Sequence, residues 1–114
     1  MEKVYDVIII GGGPAGMSAA IAAYEQGIRD IIILERDSSL GGILQQCIHN
    51  GFGLTRFKES LSGPEYAYRF VQGVRERKIT TLTETTVLSL TSDKTITAIN
   101  SSDGVFTLQA KSVI

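Results

Sequence analysis

The sequence predicts an α/β fold: a parallel sheet begun by a βαβ unit, helices packed on it, and a three-stranded antiparallel β-meander. Three observations carry that expectation. Residues 4–10 (VYDVIII) and 30–35 (DIIILE) are short apolar runs rich in β-branched residues, the pattern of strands buried on both faces. Between them, from Pro14 to about Gln26, alanines and other helix formers take over. Beyond residue 79, β-prone runs alternate with turn sequences.

Taken in order, the first strand ends in glycine within IIIGGGPAG (8–16). The alanines of the helix that follows let it lie close against a sheet, and Gly27 is placed to cap its C-terminus. The second strand completes a βαβ unit, whose crossover is expected to be right-handed. Residues 37–63 are rich in Gly, Ser and Asn and have no sustained period, so they read as a long excursion of the kind that is often functional. Pro64 opens a second helix to about Lys78, since a proline at the first helical position removes an N–H that would be unpaired anyway. Tyr66, Phe70 and Val74, with Ala67 and Val71 beside them, form its apolar stripe. Arg75, Arg77 and Lys78 are expected to solvate the helix end and to suit its negative dipole end. Ile79–Leu82 is a candidate third parallel strand. Thr86–Leu90, Thr95–Ile99 and Val105–Ala110, separated by TSDK and NSSDG, form the meander, and Ser112–Ile114 begins a further apolar run.

The composition narrows the functional classes. The chain has 114 residues, 43% hydrophobic and 20% charged, enough for one domain with its own core. A formal net charge of −1 gives no electrostatic reason to expect nucleic acid or an anionic membrane as partner. With the single cysteine Cys47 and the single histidine His49, no disulfide framework forms within the chain and no metal site is expected. No apolar run approaches the roughly 20 residues of a membrane span, and no signal peptide is visible, so the default location is the cytoplasm.

Gly11, Gly13 and Gly16 satisfy G-x-G-x-x-G. The pattern alone is weak, but here it follows a buried strand, opens a helix, and is answered by Glu35 at the end of the next strand, close to the expected spacing of about 20 residues. Together these conditions point to a Rossmann-like dinucleotide site. Gly11 permits the tight turn, Gly13 lets a pyrophosphate touch the backbone, and Gly16 lets the helix pack on the strands. The N–H groups and dipole at the helix start favour phosphate. Glu35 can accept from ribose hydroxyls, and its charge disfavours a 2′-phosphate, hence NADP, in this site. The fingerprint does not separate FAD from NAD.

GGGPAG, then Glu35–Arg36, then L-G-G, then a meander after the third strand, resembles the FAD domain of the pyridine nucleotide-disulfide oxidoreductase class. LGGILQQCIHNGFG (40–53) with GPEYAYRF (63–70) is similar, more narrowly, to oxidoreductases related to subunits of dye-linked amino-acid, opine and cyanide-forming dehydrogenases. It is also similar to proteins that accompany glycerol-3-phosphate dehydrogenases. The resemblance implies that Gly11, Gly13, Pro14, Ala15 and Gly16 hold the FAD pyrophosphate, that Glu35 binds the adenosine ribose and that Arg36 flanks it. It implies that Gly41 and Gly42 pass near the flavin-ribityl end, and that Val87 meets the adenine edge through its backbone. It implies a flavin-dependent oxidoreductase exchanging electrons with a nicotinamide or a protein acceptor, with a dehydrogenase subunit as a candidate partner; apart from the resemblance, an exposed sheet edge would invite self-association.

The departures are specific. The class carries a C-x4-C pair after this glycine pair, whereas Cys47 stands alone with Phe52 in the second position, which excludes a flavin–disulfide relay within the chain. The class pattern continues into a nicotinamide domain, so residues 1–114 are expected to be the N-terminal FAD-binding part of a longer protein, inactive alone, with NAD(H) bound in an absent domain; a stand-alone relic is the other reading. Cys47 and His49 are either a thiolate and an acid–base group near the flavin or a buried small cysteine and a backbone-bonded loop histidine. Two other functions stand beside the flavoprotein: an NAD-dependent dehydrogenase domain without flavin, and a non-catalytic nucleotide-binding or electron-transfer subunit.

Overall fold

The computed structural model describes residues 3–42 and 63–114. The chain order is β1 (Val4–Ile10), α1 (Pro14–Glu25), β2 (Ile31–Leu34), α2 (Gly63–Glu76), β3 (Thr80–Leu82), β4 (Thr86–Leu90), β5 (Thr95–Asn100) and β6 (Gly104–Val113). The strands form one sheet in the order β3-β2-β1-β6-β5-β4. β3, β2, β1 and β6 run parallel, while β5 is antiparallel to both of its neighbours, β6 and β4.

The register explains why the isoleucine runs form strands. Val7 to Ile10 pair with Ile31 to Leu34 in step, so alternate residues of both strands share a face. Val7, Ile9, Ile31 and Ile33 meet Met17, Ala20 and Ile21 of α1 and Phe70, Val71 and Val74 of α2. Ile8, Ile32 and Leu34 meet Ile96 of β5 and Ala110 of β6, with Val87 and Leu108 packed beside them. The meander thus covers the face opposite the helices. Burying each of these isoleucines contributes about 1.5–3 kcal/mol, which makes the two runs the anchor of the fold.

Both helices end in the same device. After α1, Gly27 stands at φ +99, its N–H donating to Tyr24 and that of Ile28 to Ala23, a Schellman motif. After α2, Lys78 takes the equivalent place at φ 55, with Lys78 donating to Arg75 and Ile79 to Val74. The helices approach closely because Gly73 has no side chain: a β-carbon there would stand 2.8 Å from Ile21 Cδ1.

Two expectations change. Arg77 does more than solvate the end of α2. It is half-buried, donating to the Gly73 carbonyl at 3.0 Å and to Glu25 Oε1 at 2.6 Å, so it fastens α2 to the end of α1. The third meander strand and the apolar run at Ser112–Ile114 are also a single strand. β6 pairs with β5 over Gly104–Gln109 and with β1 over Gln109–Val113. No glycine, proline or turn residue interrupts it, and Lys111 reaches Asp6 of β1 at 3.3 Å. Ile114 continues the ladder, donating to Ile8 and accepting from Ile10.

Candidate functional site

The fingerprint residues converge at the C-terminal ends of β1 and β2. Gly11 leaves β1 at φ +104, a left-handed conformation that a side chain would strain, and its N–H donates to Leu34 of β2 at 2.8 Å. Gly13 is the N-cap of α1, with Pro14 at the first helical position; the cap has no side-chain hydrogen bond and the first turn no acidic residue. Among the described residues, then, nothing neutralises the start of α1, and a β-carbon on Gly13 would meet nothing within 4 Å. No described residue fills the space over the loop, and any side chain at Gly13 would stand in it. Ala15 is exposed in the first turn. Gly16 is the reverse of Gly13: a β-carbon there would collide with the Gly11 carbonyl oxygen and crowd Ile9 Cγ2 at 3.1 Å. That is the close helix–strand packing the spacing implies.

Glu35 is buried, with 7% of its surface exposed. Its Oε1 accepts from the Gly12 N–H and its Oε2 from the Asp37 N–H, both at 2.7 Å. Its backbone is held equally firmly, donating to Leu82 at 2.8 Å and accepting from Thr85 at 2.9 Å. Beside it lies a cleft of about 320 Å³ lined by Ile10, Gly11, Leu34, Glu35, Arg36, Thr85, Thr86 and Val87. The structure therefore brings Gly11, Glu35, Arg36 and Val87 around one space, at the small end of ligand pockets. A larger cavity of about 610 Å³, between α2 and the β3 edge, includes none of these four residues.

Gly41 and Gly42 also join the glycine loop. Gly41 donates to the Gly12 carbonyl at 2.7 Å, and a β-carbon on Gly42 would lie 3.5 Å from Gly13 Cα. Cys47 and His49 lie outside the described residues. Among the described residues no cluster of His, Cys, Asp or Glu could hold a metal, and no helix is long and apolar enough to cross a membrane.

Two kinds of residue escaped the sequence reading. Gly12 occupies a free position of the fingerprint, yet a β-carbon there would strike Leu40 Cδ2 and lie 3.1 Å from Glu35 Oε1. The third glycine of GGG was its signal. Thr85 is 1% exposed; its hydroxyl donates to Thr83 and accepts from Asn100, bracing the cleft wall. Nothing in the local sequence separates it from its threonine neighbours.

Comparison with known proteins gives a consistent result. Residues 6–86 match the family described as FAD dependent oxidoreductase. The chain is 36% identical to a thioredoxin reductase of Ureaplasma parvum over 84 residues, covering 73% of this chain and 26% of that protein. It is 32% identical to a ferredoxin–NADP reductase of Leuconostoc citreum over 122 residues, covering 99% of this chain and 33% of that protein. The chain thus spans about a quarter to a third of the length of these curated relatives. The crystal structure of L-proline dehydrogenase from P. horikoshii superposes with a TM-score of 0.79 at 25% identity, over 98% of this chain and 22% of that one. With that match over most of its length and these relatives, the chain belongs to the FAD dependent oxidoreductase family.

Proposed function

We propose that this chain forms the FAD-binding part of a flavin-dependent oxidoreductase. One observation carries the proposal: an uncapped helix start with open space over Gly13 adjoins a cleft that contains the buried carboxylate of Glu35. These are the two chemistries a dinucleotide needs, partial positive charge for phosphate and an acceptor for hydroxyls. Each Glu35 oxygen already accepts one N–H and has a lone pair left, so ribose hydroxyls can add without displacing either bond. Arg36 and Val87 then flank the adenosine, and Gly41 and Gly42 carry the chain past the far end of the pyrophosphate.

When FAD is bound, hydride and electron transfer are its chemistry; this chain's residues bind and orient it. The electron partner on this proposal is a nicotinamide or a protein acceptor, held by chain beyond the part shared with the relatives or by a partner subunit. A narrower kinship, with subunits of dye-linked amino-acid dehydrogenases, is supported by the GGILQQCIHNGFG stretch and by the likeness to L-proline dehydrogenase. Cys47 and His49 carry no part of the proposal.

The test is the visible spectrum of the full-length polypeptide, followed by identification of whatever chromophore heat releases. A flavin spectrum with FAD released is expected. A colourless protein that takes up no added FAD would overturn the proposal and leave a nicotinamide-only domain as the better account.

A further inference from the structure

Glu35 does more in this fold than face a cleft. Resting on the FAD-site proposal above, we propose that Glu35 is a positioning residue for the phosphate loop, fixing its backbone before any nucleotide arrives.

The loop contains two peptide planes whose directions matter. All peptides described are trans, so the N–H and C=O of each plane point opposite ways. In the Gly11–Gly12 plane, the N–H is drawn to Glu35 Oε1 at 2.7 Å. Its carbonyl, on Gly11, therefore points toward the start of α1, where it occupies the space that a β-carbon on Gly16 would need. In the Gly12–Gly13 plane, the carbonyl accepts from Gly41 at 2.7 Å, which turns the Gly13 N–H away from residues 41–42. Glu35 and Gly41 thus each hold one of two consecutive planes.

A run of three glycines has more backbone freedom than any other tripeptide, and ordering it on binding would cost affinity. The carboxylate removes that cost in advance. Two acceptor oxygens are what the task needs, because both face N–H donors. A glutamine has one acceptor oxygen and one NH2 group, so it satisfies Gly12 or Asp37 but not both. Facing Gly12, its NH2 group would favour a flipped plane with the Gly11 carbonyl turned toward it and the Gly12 N–H turned toward α1. The fingerprint acid and the fingerprint glycines are, in this account, parts of one hydrogen-bonded unit.

The experiment separates positioning from ribose contact by removing the ribose hydroxyls from the probe. Binding of ADP and of 2′,3′-dideoxy-ADP to the full-length polypeptide is measured for the wild type, Glu35→Gln and Glu35→Asp, alongside the exchange protection of the Gly12 amide without ligand. Glu35→Asp keeps the charge but withdraws the oxygens by one methylene. The expected result is a protected Gly12 amide in the wild type and a loss of about tenfold or more in dideoxy-ADP affinity for both variants, the scale of one charge-assisted hydrogen bond. Unchanged dideoxy-ADP binding, with only ADP weakened, would reduce Glu35 to a ribose ligand and overturn the proposal, as would a freely exchanging Gly12 amide. If the wild type bound neither nucleotide nor FAD, the dinucleotide site itself would fall, while Gly12 protection would still decide what Glu35 does to the loop.

Discussion

The Leu40 side chain fills the space that a β-carbon on Gly12 would need. Leu40 is buried against the helix-side core, so it has little room to retreat. Gly12→Ala is therefore expected to destabilise the fold by about 1–3 kcal/mol, the usual cost of overpacking. Leu40→Ala in the same chain should relieve part of it, leaving the double variant more stable than the two single losses added together by about 1 kcal/mol. Urea midpoints of the four proteins check this, and strict additivity would show that Leu40 is not what excludes a side chain at Gly12.

Gly13 calls for the opposite outcome. Its backbone is extended, at φ −77 and ψ −179, and its β-carbon position is open, so Gly13→Val leaves the unliganded fold intact to within about 1 kcal/mol. The same side chain stands where a pyrophosphate would approach, and FAD affinity should fall roughly a hundredfold or more. Equilibrium dialysis with FAD, paired with thermal melting of the unliganded protein, reads both halves. Normal flavin loading in this variant would contradict the proposed site.

Lys78 holds a left-handed conformation at φ 55 in the place where Gly27 ends the other helix. Lys78→Gly removes the clash that L-residues meet there while keeping both Schellman hydrogen bonds, since those use backbone groups alone. A gain of about 1 kcal/mol in unfolding free energy is expected, visible as a higher melting temperature.

In the β4–β5 turn, the Thr91 hydroxyl donates to the Asp93 carboxylate. That bond, with smaller help from Thr95, holds Asp93 below the usual carboxylate range. A carboxyl whose folded pKa is depressed contributes its stability above the unfolded pKa, and loses it as pH falls through the folded one. Asp93 is fully solvated, so the effect belongs in its own titration rather than in the melting curve. Carboxyl carbon shifts followed against pH should place Asp93 lower in the wild type than in Thr91→Val; equal midpoints would exclude the hydroxyl as the cause.

What the sequence made legible was local and periodic. The isoleucine runs have one stable use, a doubly covered strand, and the glycine spacing has one familiar geometry between strand and helix. Glu35 was readable because its distance from the glycines is fixed by the length of one crossover helix. The double pairing of β6 was not readable, because alternation along Gly104–Val113 looks the same whether one neighbour or two share the strand. The need for glycine at position 12 depends on Leu40, and Thr85 is held by Glu35 beyond β2 and by Asn100 of β5; both are set by tertiary contacts that no local pattern encodes.

The pairing of Val4 with Gln109 has a consequence for how the chain is made. Among the described strands β1 is synthesised first, and its second sheet neighbour, β6, follows the other four. Entropy makes closing so long a loop only modestly costly at equilibrium, because each doubling of length adds about 0.6 kcal/mol, but such distant pairing slows folding. At ordinary translation speeds of about 5–20 residues per second, the nascent chain carries β1 with one unsatisfied, isoleucine-rich edge for several seconds. During that window the unpaired edge is a template that another unpaired strand can use before β6 does.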